Sequence, residues 1–274
     1  MEIGKLYICP TPIGNLEDIT LRTLRILGEV DLIAAEDTRH SIKLLNHYEI
    51  KKPLISYHEH NIRERGEELI QKLNNGENIA LISDAGMPGI SDPGQDLIRL
   101  AIEEGIEVIG LPGATASITA LVVSGLSTNK FVFEGFLSSK KRDRIKELEA
   151  LKIERRTIIF YESPHRILNF LRDCLEVLGD RKIALGRELT KHYEEIFRGT
   201  ISQGIEKFES IPIKGEFAIV MEGNTLEEEI IEIDILEYLK VYMEEGLSKK
   251  EAIKKLSTEK DIPKNQVYSE SLKL

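Results

Sequence analysis

Short, mostly apolar runs alternate with amphipathic stretches through the first half of the chain. Lys5 to Cys9, Leu32 to Ala35, Leu54 to Tyr57, Ile79 to Ile82 and Ile106 to Ile109 are too short for helices and predict strands. Leu21 to Leu27, Ser41 to Tyr48, Asn61 to Leu73, Asp92 to Glu104 and Ala114 to Ser124 instead repeat apolar residues at helical spacing. Asn61 reads as the N-cap of its helix. Strands that are apolar nearly throughout, each followed by a helix, predict an α/β fold: a largely parallel sheet covered on both faces.

The pattern changes after Gly125. Phe131 to Glu134 and Thr157 to Tyr161 read as strands, and Ser139 to Leu151 as a highly charged helix. Ser163 and Pro164 have the form of an N-cap and first-turn proline opening a further helix. Ile183 to Arg187, Glu194 to Ile201 and Glu216 to Met221 are strand-like without a helix after each, so residues 126–224 predict a second, mixed α+β domain. The first domain is then 1–125, with the hinge at Ser124 to Asn129. Residues 225–274 form a short helical tail with a helix-turn-helix rhythm: Leu226 to Glu245, a capping box at Ser248 to Glu251, and a last helix opened by Pro263.

Composition narrows the class only a little. With 41% hydrophobic and 31% charged residues among 274, the chain reads as a soluble protein. No apolar run approaches the ~20 residues of a membrane span, and Met1 to Pro10 lacks a signal-peptide pattern, so a cytoplasmic location is expected. Cys9 and Cys174 read as buried thiols rather than a disulfide. A net charge of −10 and a pI near 5.3 argue against broad affinity for nucleic acid, while leaving room for a local basic groove.

Two turns carry the most information. LISDAGMPGISDPG (Leu81 to Gly94) and GLPGATAS (Gly110 to Ser117) each run from a strand, through glycine and proline, into a helix. That is how an open parallel sheet builds a ligand crevice at the carboxyl ends of its strands. Glycines there admit close backbone approach, and the N–H groups of Thr115 and Ala116 suit a carboxylate or phosphate. Neither turn is a Walker loop or a dinucleotide fingerprint. A ligand held largely by backbone, with an anionic end at a helix N-terminus, fits S-adenosylmethionine.

Seven segments together then resemble one family. TPIGNLEDIT (Thr11 to Thr20) is similar to the N-terminal turn of the tetrapyrrole-methylase-like, class III methyltransferases. With AEDTRHS (Ala35 to Ser41), SDAGMPGISDPG (Ser83 to Gly94), LPGATA (Leu111 to Ala116), FYESPHR (Phe160 to Arg166), RELTKHYEE (Arg187 to Glu195) and GEFAIVMEG (Gly215 to Gly223), the set resembles the bacterial 16S ribosomal RNA (cytidine-2′-O)-methyltransferases. The resemblance implies the two-domain class III fold, S-adenosylmethionine as cofactor, and methyl transfer to a cytidine ribose in 16S ribosomal RNA of the small subunit. It also implies a homodimer. By matching positions, Pro12, Ile13, Gly86, Met87, Pro88, Ile90, Gly113, Ala114, Thr115, Tyr161 and Ala218 would line the donor pocket. Many tetrapyrrole methylases carry Gly-Asp-Pro where this chain has Gly86-Met87-Pro88, which favours the RNA-modifying branch.

A ribose hydroxyl is a weak acid, so its methylation calls for a base or a polarising cation. Candidates are Glu36 and Asp37, Glu188 with Lys191, and additionally His58 and Glu162. Capping and ion pairing are equally good readings of Glu36 and Asp37. No ligand spacing supports a metal; His58 and His60 have no further partner in sequence. For RNA the basic candidates are Arg39, His40, His58, Arg63 with Arg65, Lys140 to Arg144, and His165 with Arg166. Two other readings stay open: a methyltransferase of a tetrapyrrole, other small molecule or protein side chain, and a non-catalytic adenosine-binding module.

Overall fold

The computed structural model describes residues 2–210, 212–225, 234–260 and 262–274. They fall into two compact units, Met1–Asn224 and Thr225–Leu274. In the first unit, β1 (Leu6–Ile8), β2 (Leu32–Ala35), β3 (Leu54–Ser56), β4 (Ile79–Ile82) and β5 (Val108–Gly110) form an all-parallel sheet in the order β3-β2-β4-β1-β5. Helices α1 (Leu21–Glu29), α2 (Thr38–His47), α3 (Ile62–Asn74) and α4 (Gln95–Glu103) connect the strands.

Side chains of β4 alternate between two separate cores, which is why its apolar run is continuous. Ile79 and Leu81 pack with Leu69, Leu73, Leu97 and Ala101. Ala80 and Ile82 pack with Ile26, Leu27 and Leu45 on the opposite face. The strand order has a consequence for function. The turns after β2, β4, β1 and β5 are distant in sequence, yet they emerge side by side along one edge of the sheet. Reciprocal backbone hydrogen bonds between Thr11 and Gly86, 2.9 and 3.1 Å long, tie two of them together.

The rest of this unit comprises α5 (Ala116–Ser124), β6 (Phe131–Gly135), α6 (Lys141–Ala150), β7 (Thr157–Glu162), α7 (Ile167–Leu178), β8 (Lys182–Arg187), β9 (Glu195–Thr200), α8 (Ile201–Glu209) and β10 (Phe217–Met221). Its strands form a mixed sheet ordered β6-β7-β10-β8-β9, in which β6 and β7 are parallel and the other pairs antiparallel. One face carries Ile158, Phe160, Leu185, Ile219 and Met221 against Phe170, Leu171 and Phe208 of α7 and α8. Each such fully buried side chain stabilises the fold by roughly 1.5–3 kcal/mol. The opposite face carries Ile159, Ala184, Ala218 and Val220. Helix α5 packs there through Ala120 and Leu121, and so does Ile13 of the turn after β1.

Three local expectations need correction. Helix α4 starts at Gln95 rather than Asp92, because Gly94 takes φ +147° and interrupts the chain just before it. Helix α7 starts at Ile167 and not at Pro164; the Ser163 carbonyl accepts from both Arg166 and Ile167 N–H at 3.1 Å, forming a turn ahead of the helix. Helix α8 follows β9 where only strand was expected. Its signal is a Thr200 to Gln203 capping box, with the Gln203 side chain accepting from the Thr200 N–H at 3.0 Å.

The second unit holds α9 (Ile235–Glu244), α10 (Lys249–Glu259) and α11 (Lys264–Ser271) around Leu239, Tyr242, Ile253, Leu256 and Val267. Glu251 accepts from the Ser248 N–H at 2.9 Å, the contact that the capping pattern predicts. The expected helix from Leu226 is seen from Ile235 onward; 226–233 lie outside the described residues.

Candidate active site

A cavity of about 400 Å³ opens between the two sheets of the first unit. From the parallel sheet come Ile13, the segment Ala85 to Met87, Ile90 to Asp92, and Thr115 with Ala116 at the start of α5. From the mixed sheet come Phe136, Tyr161 to Pro164, Gly186, Glu188, Leu189, Lys191 and Glu216 to Ala218. Gly86 sits at φ +87°, and a Cβ built on it would lie 3.3 Å from Ile13 Cγ2; the turn closes tightly because no side chain is there. Thr115 and Ala116, opening α5, have no intrahelical acceptors for their N–H groups and point the positive end of the helix at the cavity. Tyr161 Oη accepts from the next N–H, that of Ser117, at 2.9 Å.

The cavity is acidic. Burial, reinforced by the nearby carboxylates of Glu36 and Asp84, pushes Asp92 up to about 7 against a hydrogen bond from Ser83. On the opposite wall, Lys191 Nζ donates to Glu188 Oε1 and Glu216 Oε2, each at 2.9 Å. Burial opposes both charges of the Glu188–Lys191 pair, but their hydrogen bonds outweigh it, so the Glu188 carboxyl is lowered and the Lys191 ammonium raised. Lys191 is therefore a cation at neutral pH and not a base. Among the described residues, three of the four non-glycine residues with positive φ, Ser91, Glu188 and Thr190, cluster here, at φ +63°, +52° and +66°. Backbone strain of this kind survives where the surroundings over-determine it.

Of the residues singled out from sequence, Ile13, Gly86, Met87, Ile90, Thr115, Ala116, Tyr161, Glu162, Ala218, Glu188 and Lys191 reach the cavity, Glu162 there paired with Arg166. Pro12, Pro88, Gly113 and Ala114 lie in the same turns but off its wall. Gly113 packs on Pro10, whose Cγ lies 2.5 Å from where a Cβ would stand. Glu36 and Asp37 also lie off it. Asp37 caps α2, its Oδ1 accepting from the Arg39 N–H at 2.8 Å, and its pairing with Arg39 holds it down at about 2. Glu36 is raised by burial and by neighbouring carboxylates.

The basic candidates divide. Arg39 and His40 share an open depression with Lys43, Asp37 and Asp84. Arg63 and His165 are exposed on other surfaces, and His58 is half-buried where β3 leads into α3, its N–H bonded to Asn61 Oδ1 at 2.9 Å. Arg144 is buried against Asp173 at 2.5 Å, and Arg166 reaches the Leu137 carbonyl at 2.6 Å and Glu162 at 3.1 Å. Those two arginines hold loops and are not a free basic surface. Sequence reading missed Asp92, Phe136, Leu189, Glu216 and Phe217. Asp92, Leu189, Glu216 and Phe217 lie inside segments already singled out, and of these five Phe136 alone lies outside all seven.

Comparison with known proteins bears on this geometry. The Tetrapyrrole (Corrin/Porphyrin) Methylases family matches residues 5–204. A Bacillus subtilis protein named Ribosomal RNA small subunit methyltransferase I is 49% identical over 273 residues, 97% of this chain and 94% of its own. The Synechocystis protein of that name is 50% identical over 275 residues, 99% of each. The chain belongs to this methyltransferase I family, within the tetrapyrrole methylases. It is an S-adenosylmethionine-dependent methyltransferase. In fold it resembles a uroporphyrin-III C-methyltransferase from Thermus thermophilus crystallised with S-adenyl homocysteine, at TM-score 0.57 and 16% identity over 79% of this chain and 97% of that one.

The cavity fits such a donor on its own terms. Its volume is that of a small-molecule site. The donor's cationic sulfonium and ammonium suit a wall bearing Asp92, its carboxylate suits the start of α5, and its adenosine suits Ile13, Met87, Leu189 and Ala218.

Proposed function

We propose that this enzyme methylates the ribose 2′-hydroxyl of a cytidine in 16S ribosomal RNA of the small subunit. The donor supplies an electrophilic methyl group: a carbon–oxygen bond forms as the sulfur–methyl bond breaks, the sulfur keeps the bonding pair and leaves as a neutral thioether, and the hydroxyl proton passes to solvent. The observation that carries the reading is the charge layout of the cavity. An ammonium, Lys191, alone among the described lining residues, is fixed between two carboxylates on the wall opposite Asp92. In this reading Asp92 faces the cationic donor, while Lys191 polarises the acceptor hydroxyl and Glu188 holds Lys191 in place.

Names of relatives at about half identity over the whole chain support ribosomal RNA as the substrate. Arg39, His40 and Lys43 would take backbone phosphates, because Ala85 of the cavity wall directly follows Asp84 of their depression. Ile118 and Val122, exposed on α5, support a homodimer, and the absence of a long apolar helix among the described residues fits work in the cytoplasm.

The test is transfer of labelled methyl from S-adenosylmethionine to small subunits isolated from cells lacking this protein, followed by digestion to nucleosides. Label in 2′-O-methylcytidine is the expected result. Label in another nucleoside, or none on RNA while donor binding persists, would overturn the reading.

A further inference from the structure

Phe136 is left unexplained by the donor site. It lines the rim of the cavity with 55% of its surface exposed, on the loop between β6 and α6. The loop around it is held firmly. Leu137 is buried in the core of the mixed sheet. Arg144 donates to the Ser138 and Ser139 carbonyls at 3.0 and 3.3 Å, and Arg166 to the Leu137 and Ser138 carbonyls at 2.6 and 3.3 Å. Both arginines are anchored in turn, by Asp173 and Glu162. Ahead of Phe136, Gly135 takes φ +63° and brings the loop so close that an added Cβ would lie 3.2 Å from Ser91 Oγ, on the other wall. The backbone that carries this exposed ring is therefore held in place beside the cavity.

Ile13 and Ala218, buried in the cavity wall, and Met87 beside them already offer apolar surface for the donor. The acceptor's entry is constrained by charge. Asp92, Glu188 and Glu216 repel phosphate, so an inserted nucleotide needs uncharged contacts for its base. Phe136, its ring 5.6 Å from that of Tyr161 and inclined 62° to it, offers such a contact. We propose that Phe136 is the platform on which the base of the acceptor nucleotide stacks when its ribose enters the cavity. The proposal rests on RNA being the substrate, as argued above. Aromatic platforms of this kind serve unpaired bases because every base has a π-face.

The experiment compares wild type with Phe136→Ala and Phe136→Tyr, measuring donor affinity by calorimetry and methyl-transfer kinetics on isolated small subunits. Phe136→Ala should raise KM for RNA about 5- to 150-fold, the factor carried by one base–aromatic stack. Donor affinity should stay within about twofold, well below any stacking loss, and Phe136→Tyr should restore KM. A KM unchanged in Phe136→Ala, or donor affinity falling in step with it, would overturn the platform while leaving RNA methylation standing. A wild-type enzyme that transfers no methyl to RNA would overturn both.

Discussion

The two sheets build opposite walls of one cavity by different means. The parallel sheet contributes mostly backbone and apolar surface: glycine turns, the opening N–H groups of α5, Ile13 and Met87, with Asp92 as its charge. The mixed sheet contributes a charged network, Glu188–Lys191–Glu216, and aromatic rings at Tyr161 and Phe136. A wall of backbone holds a ligand by shape and dipole, and tolerates little change in volume. A wall of side chains holds by charge, and answers to pH and to charge reversal. The same division separates how readily each wall shows in the sequence.

The largest effect should come from spoiling the backbone wall by volume and charge together. Met87→Arg puts a long cation where a cationic donor must sit, and donor binding should fall beyond calorimetric detection, with Met87→Leu close to wild type. Unchanged affinity in Met87→Arg would remove Met87 from the donor site and blur the contrast between the walls.

A smaller, titratable effect belongs to Asp92. Asp92→Asn should weaken donor binding by roughly 10- to 100-fold, the range for losing a charge-assisted contact. In the wild type, affinity should decline as pH falls through about 7, where Asp92 takes up its proton, and Asp92→Asn should be flat there. For the empty enzyme the sign reverses. Its raised pKa means the folded chain binds the extra proton, so this contribution to stability is present below the ordinary carboxylate range and lost as pH rises towards 7. Melting curves of wild type and Asp92→Asn should match at the lower end of that window and separate towards its upper end, the wild type melting lower there, only if Asp92 carries the shift.

The smallest effect tests the ground outside both walls. Arg39 is 89% exposed, and Arg39→Glu should weaken RNA binding and reduce its salt slope by about 1, leaving donor affinity intact. Equal loss of both would tie the depression to the donor site.

Much of the parallel wall was legible because its chemistry is local. A strand of continuous apolar residues, then glycine and proline, then a helix, is written in adjacent positions, as in Leu81 to Gly94. What misled was the reach of the motif: Gly113 packs on Pro10 and Pro88 is buried off the cavity wall, which spacing cannot distinguish from lining. AEDTR offered candidate chemistry and SDPG did not, yet Asp37 caps a helix while Asp92 faces the cavity. Both are Ser- or Thr-flanked carboxylates after a strand; Asp37 is held down by Arg39 of its own helix, whereas Asp92 is pushed up by burial and by Glu36, which follows a different strand.

By itself the sequence determined the α/β class, the strand–helix rhythm, the glycine turns and the family, since each is carried by short-range pattern or by direct likeness. Only the tertiary structure decided which turns meet. The order β3-β2-β4-β1-β5 sets β4 against β1, so that Thr11 bonds Gly86 across 75 positions of chain. Placement of α5 against the mixed sheet brings Tyr161 to the start of that helix. Glu216 finds Lys191, and Arg166 finds the loop beneath Phe136, only once strands and helices pack. Burial and charge proximity are properties of that packing, and they set which carboxyl is raised, which arginine is structural and which ring is left facing the cavity.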